Sequence, residues 1–244
     1  MLRLITALFI LSVPCFAQAA DGAKFRALGF SADARYFAFE QYGIQDGSGF
    51  AYADVFVLDI TADNWVAGTP VSALLEDETL SVSAVRTKAK KDAEAILRSL
   101  AITSDAEYLV ANPFSEVLAE RSKVTFHDHY NNSMGIFGST DNQGSWDLLA
   151  TKVEVPLPAG CEADLGVVGY KLEIKNNKSG AVTLLHVDQA IPKSRFCAVG
   201  YDIEAVVQPV GGSTSGQMVA VIGVYRLGFE GADRRFIAVP FKLN

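Results

Sequence analysis

Phe126-His127-Asp128-His129-Tyr130 sets two imidazoles one residue apart. Alternate side chains of a strand face one way, so His127 and His129 could meet one metal ion. His186 is the third histidine of the chain, with Asp188 two places on. Three histidines, or two and a carboxylate, would complete a zinc or copper site if the fold joined these strands. Tyr130-Asn131-Asn132-Ser133 reads as loop, so exposed polar strand surface is the competing reading.

A second set lies in Gln45-Asp46-Gly47-Ser48-Gly49-Phe50-Ala51-Tyr52, between strands that a two-residue turn could join. Asp46 and Ser48 can accept hydrogen bonds or coordinate a cation, and Phe50 and Tyr52 offer stacking faces. That composition suits a polar ligand or the edge of a partner. Alternatively, the loop folds its aromatics back over an open sheet end, with Asp46 making an Asx turn. Arg234 and Arg235 follow Glu230-Gly231-Ala232-Asp233. They could recognise a carboxylate or phosphate; the plainer reading is that they pair with the acids of their own turn, as an exposed set contributing little to stability.

Assembled catalytic signatures are missing: there is no G-x-S-x-G, H-E-x-x-H, P-loop or strand-to-helix G-x-G-x-x-G. Gly212-Ser213-Thr214-Ser215-Gly216 carries threonine where an elbow serine would sit, and reads as a flexible connection. Ser139 to Trp146 approximates an Asp-box hairpin with its glycine one place late. No catalytic residue is assigned.

The elements that must position these residues are mostly strands. Period-two alternation marks Arg35 to Tyr42, Asp54 to Ile60, Asp147 to Val155, Val167 to Ile174, Ala181 to Val187, Tyr201 to Val207, Met218 to Arg226 and Arg235 to Lys242. Residues 81–100 differ: Val82, Val85, Ala89, Ala93, Ile96, Leu97 and Leu100 recur at helical spacing among lysines and acids, so the stretch predicts one amphipathic helix packed on a sheet. The expected class is mainly β, with antiparallel sheets, propeller-blade-like or sandwich-like, plus that helix. Phe30 to Ala38, Ile102 to Val110 and, more loosely, Phe229 to Val239 echo one another as hairpin chemistry used three times.

Arg3, the apolar run Leu4 to Val13 and Ala17-Gln18-Ala19 read as a signal peptide over residues 1–19, followed by a single β-rich secreted domain over 20–244. Without Arg3 the chain keeps 20 basic against 28 acidic side chains, a net charge of −8. Such a surface repels phosphates, which excludes nucleic acid as a partner, and no later run is long enough for a membrane span. Cys161 and Cys197 form an even pair for an oxidising compartment, where a disulfide is expected. Closing that loop would stabilise the fold by about 4 kcal/mol. A reactive or metal-binding thiol pair would more commonly show CxxC spacing.

"FSADARYFAFEQYG" followed by "ADVFVLDI" resembles the core of one TolB-type propeller blade, with Ala32 and Ala34 at the proline and glycine positions. "YFAFEQYGIQDGSGFAYADVFVLDI", the helix, "LLHVDQAIPKSRFCAVGYDI" and "GFEGADRRFIAVP" together resemble a family of predicted secreted bacterial proteins with a domain of unknown function (domain-of-unknown-function 2259). That resemblance implies secretion and no activity or cofactor. The reading that follows is a secreted or periplasmic, non-enzymatic binding or interaction module of the cell envelope, taking an unknown envelope protein or a polar ligand. The alternative is a metal-binding protein or metal-dependent hydrolase using His127 and His129; a purely structural envelope protein comes third.

Overall fold

The computed structural model describes residues 20–113, 120–127, 144–212, 216–228 and 231–243. The first sheet holds Lys24–Ser31 (β1), Tyr36–Ile44 (β2), Ala51–Asp59 (β3), Asn64–Trp65 (β4) and Val71–Leu75 (β5). After the helix Val82–Ser99 (α1) it regains Ile102–Ser104 (β6), for an order β4-β3-β2-β1-β6 with β5 also on β3. Ala106–Ala111 (β7) crosses to a central sheet. Lys123–His127 (β8), Ser145–Val153 (β9), Gly169–Asn176 (β10) and Val182–Val187 (β11) build an outer sheet in the order β11-β10-β9-β8. Ala198–Pro209 (β12), Gln217–Leu227 (β13) and Ala232–Lys242 (β14) return to the central sheet, β14-β13-β12-β7. Every ladder between these strands is antiparallel.

Burial explains the stacking. Met218, Ala220 and Ile222 of β13 join Leu148 and Leu172 of the outer sheet in one core. Val219 and Val221, at the opposite parity, join Phe37, Phe39 and Leu58 of the first sheet in another. A strand covered on both faces loses its polar alternation, which is why β13 reads as a nearly unbroken apolar run. On β8 only Val124 and Phe126 are buried, because its other face meets solvent. The three sheets therefore stack as a sandwich, and each fully buried phenylalanine contributes roughly 1.5–3 kcal/mol.

The helix covers the far face of the first sheet. Val85, Ala89 and Ala93 pack on Ala51, Ala53, Val55 and Ala73, small side chains that bring helix and sheet close. Ser81 caps the start by accepting the Ala84 amide at 3.2 Å. Glu40, fully buried beneath the helix, pairs with Arg86 and, at 3.0 Å, with Lys90. Two of the helix's basic residues thus face the sheet rather than a solvated outer surface.

The echoed segments serve different topologies. Ser31 to Tyr36 is a hairpin turn: Asp33 accepts from the Ser31 hydroxyl and the Arg35 amide, and Ala34, at the blade's glycine position, takes φ +58°. Ile102 to Val110 is no hairpin, because β6 pairs with β1 and β7 with β12. The chain bends at Asp105 to leave one sheet for another. Phe229 and Glu230, like residues 1–19, lie outside the described residues.

Candidate functional site

β3 begins at Ala51, and Ile44 pairs with Ala51, so the connection shrinks to Gln45–Phe50. The Gln45 amide donates to the Phe50 carbonyl at 2.9 Å, and the Ser48 hydroxyl donates to Gln45 Oε1 at 3.0 Å. Ser48 also accepts the Phe50 amide, and Gly47 at φ +81° turns the chain between them. Ser48 therefore organises this loop; Asp46 makes no Asx turn. The Oδ2 atom of Asp46 is buried without a hydrogen-bond partner.

Tyr52 is strand and core rather than an open stacking face, with 5% of its surface accessible. Its ring edge lies over Gly43, where an added Cβ would come within 2.9 Å of the hydroxyl. That hydroxyl donates to Asp21 Oδ1 at 2.7 Å. Burial, reinforced by the bond to Asp21 and opposed by the charge of Arg235, pushes its pKa far above the usual tyrosine value, so it remains a donor. Arg235 lies 4.7 Å over the Tyr52 ring and donates to Asp21 Oδ2 at 2.5 Å. The two candidate stretches, remote in sequence, are thus joined through Asp21.

They flank a cavity of about 610 Å³ between the first sheet and the β13–β14 end of the central sheet. Phe56, Trp65, Phe236 and Ile237 supply apolar wall, and Gln41, Asp54, Arg195, Arg226 and Arg235 supply polar groups. Gln41 is held from both ends: its amide donates to Asp54 at 3.0 Å and its carbonyl accepts the Phe236 amide at 3.0 Å. A shallower recess lined by Asp21, Asp46, Ser48 and Asp233 shares Gln45, Arg226 and Arg235 with the cavity. Arg226 reaches Asp233 only at 3.9 Å, beyond hydrogen-bond range. Phe50 lines neither space among the described residues.

Arg234 faces the other way. It is buried, donates to the Ala23 carbonyl at 2.9 Å and lies 3.7 Å from Glu204, so its role is to fasten β14. Arg234 lies near Glu204 and Arg235 pairs with Asp21, with the charge of Asp233 in the turn also acting on Arg235; Glu230 lies outside the described residues.

A model of the family described as "Predicted secreted protein (DUF2259)" matches residues 38–242. The chain belongs to this family. No curated protein and no solved structure matches it. The matched span takes in the loop, the central sheet, the first sheet apart from β1 and the start of β2, and the disulfide of this DUF2259 chain; Asp21, which joins the two stretches, precedes it.

Behind the cavity wall lies a closed polar hub. Asp188 accepts from Arg195 Nη1 at 2.7 Å and Nη2 at 2.5 Å, from the Tyr170 amide at 2.9 Å, and pairs with His186 Nε2 at 2.8 Å. Arg195 also donates to the Tyr201 hydroxyl at 3.1 Å, while His186, Tyr170 and Tyr201 stack with centroids 4.7 and 4.5 Å apart. Burial alone would raise the pKa of Asp188; the bonds from His186, Arg195 and the Tyr170 amide outweigh it and hold the carboxyl well below its usual range. Cys161 and Cys197 are disulfide-bonded with Cα atoms 5.6 Å apart, which clamps the chain two residues beyond Arg195.

His127 and His186 do not converge. His186 faces the core from β11, pairing with Leu172, whereas His127 is exposed on the outer face of β8. They occupy opposite edges of the outer sheet and different levels along it, since His186 aligns through Leu172 and Ala150 with Ser122. Strand spacings put them about 20 Å apart, too far for one ion. His129, with the Asp-box-like stretch up to Gln143, lies outside the described residues. No described group of three histidine, cysteine or acidic residues could hold a metal ion, and no described helix is long and apolar enough to cross a membrane.

Three strand residues, Gln41, Asp54 and Arg226, escaped the sequence reading, as did Asp21 and Trp65. The available signal was a polar side chain interrupting strongly apolar strands.

Proposed function

We propose that this secreted protein is a binding module of the cell envelope that takes a small ligand into the cleft between the Gln45–Tyr52 region and the β13–β14 end. One observation carries the reading: residues far apart in sequence converge on a cavity of about 610 Å³ with aromatic walls and fixed polar groups. That size and mixture are typical of small-molecule sites. Binding is favoured over turnover because the described residues lining the cleft include neither histidine nor cysteine, and the half-buried His186–Asp188 pair belongs to the hub behind it.

Fragment screening by amide NMR on the mature protein tests this. Saturable shifts should cluster on Gln41, Phe56, Trp65, Arg226 and Phe236. Ser72, a cleft-lining residue exposed on β5, offers a blocking variant: Ser72→Trp should abolish those shifts without unfolding the protein. Shifts confined to another face, or indifferent to the blocking variant, would defeat the proposal.

A further inference from the structure

We infer that the cleft is selective for a small amphipathic organic anion, an apolar body carrying a carboxylate or an equivalent acidic group, with Arg226 as its anchor. This rests on the binding reading above and adds the ligand's charge and shape. In a protein with a net charge of −7, the cavity lining carries three guanidinium groups, of Arg195, Arg226 and Arg235, against one carboxylate, Asp54. Two of the three are already held: Arg195 by Asp188 and Arg235 by Asp21. Those pairs fix the guanidinium planes and lessen their free charge.

Arg226 differs. Its side chain is 31% exposed, opens onto both the cavity and the outer recess, and among the described residues its one carboxylate neighbour is the distant Asp233, at 3.9 Å. Asp233 is itself engaged, accepting the Asp21 amide at 3.2 Å. A carboxylate entering the cleft would give Arg226 the paired, charge-assisted hydrogen bonds it lacks. The apolar part of such a ligand would lie against Trp65 and Phe56, which pack together with ring centroids 5.2 Å apart. A neutral ligand would leave Arg226 as it is, and a cation would meet three guanidinium groups.

The test uses the mature protein carrying Trp146→Phe, which leaves Trp65 as its one indole, since the chain has two tryptophans. Octanoate, octanamide and octylammonium share a body and differ in charge, and none absorbs where indole emits. Octanoate should change Trp65 fluorescence saturably, with octanamide binding about ten- to a hundredfold more weakly and octylammonium weaker still. Arg226→Gln should bring octanoate down to the octanamide level and leave octanamide unchanged, with Arg226→Lys restoring part of the difference. Equal affinity for octanoate and octanamide, tighter binding of octylammonium, or indifference of octanoate to Arg226→Gln would each overturn the anion inference while the binding reading stands. Silence of Trp65 toward all three probes would overturn both.

Discussion

Asp188 and Asp46 are both aspartates pressed against buried surface, and their surroundings are opposite. Asp188 has four hydrogen-bond donors or ring contacts around its two oxygens, and Arg195 is in turn bonded to it and to Tyr201. Among the described residues, Asp46 has an oxygen buried with no partner, and nearby Arg226 finds its one carboxylate at 3.9 Å. Satisfied polar networks in a dry interior specify a fold, whereas an unsatisfied group is a cost that a ligand can remove. The hub is structure; in the proposed binding reading, the cleft mouth holds its polar groups for a ligand.

The largest effect expected of this contrast is at the hub. Asp188→Asn would leave the Arg195 guanidinium buried beside a neutral amide, and should lower stability by about 3–5 kcal/mol in urea unfolding. A loss near zero would erase the distinction between the two regions. The same carboxylate sets a pH dependence. Its folded pKa lies below the unfolded value of about 4, so its contribution is fully present above that pH and fades as pH falls through it toward the folded value. The urea midpoint should therefore drop between pH 6 and pH 3, and drop less in Asp188→Asn.

Removing the disulfide by Cys161→Ser with Cys197→Ser should lower stability by about 2–4 kcal/mol. It should also weaken probe binding, because the Arg195 segment of the cleft wall loses its clamp. Thiol titration of the unreduced, denatured protein should find no free cysteine in the mature chain; two would remove the clamp from the comparison. Tyr52→Phe deletes the hydroxyl that Asp21 accepts while keeping the ring, for a cost of about 1.5–3 kcal/mol. That result would place Tyr52 with the hub as a structural residue, although it borders the cleft. Arg226→Gln, at the other extreme, should shift stability by less than about 0.5 kcal/mol by calorimetry, since no hydrogen bond is lost. A larger loss would show that Arg226 belongs to the fold and not to a ligand.

Much of the architecture was legible along the chain. Period-two alternation located eight of the strands to within a few residues, and helical spacing over 81–100 matched α1, with Ser81 as its cap. The disulfide followed from two remaining cysteines and an oxidising destination. The short strands β4, β5 and β6 were harder, because a few residues carry too little periodicity to separate them from loop. β13 announced its burial on both faces by the loss of alternation, yet nothing in that run said which core lay on which side.

The cleft marks the boundary of what the amino-acid order determined. Arg234 and Arg235 are adjacent on a strand, so period two alone sends them to opposite faces. Which of them would be buried against Ala23 and Glu204, and which would meet Asp21 and Tyr52 beside a cavity, depended on how the first sheet stacks on the central one. The same parity rule made His127 and His129 a plausible pair, but whether His186 could join them depended on the strand order, which sets His127 and His186 on opposite edges and opposite faces of one sheet. Local sequence controls the direction of a side chain relative to its own strand. What that side chain meets is decided by long-range packing, because burying apolar surface selects which sheets face each other.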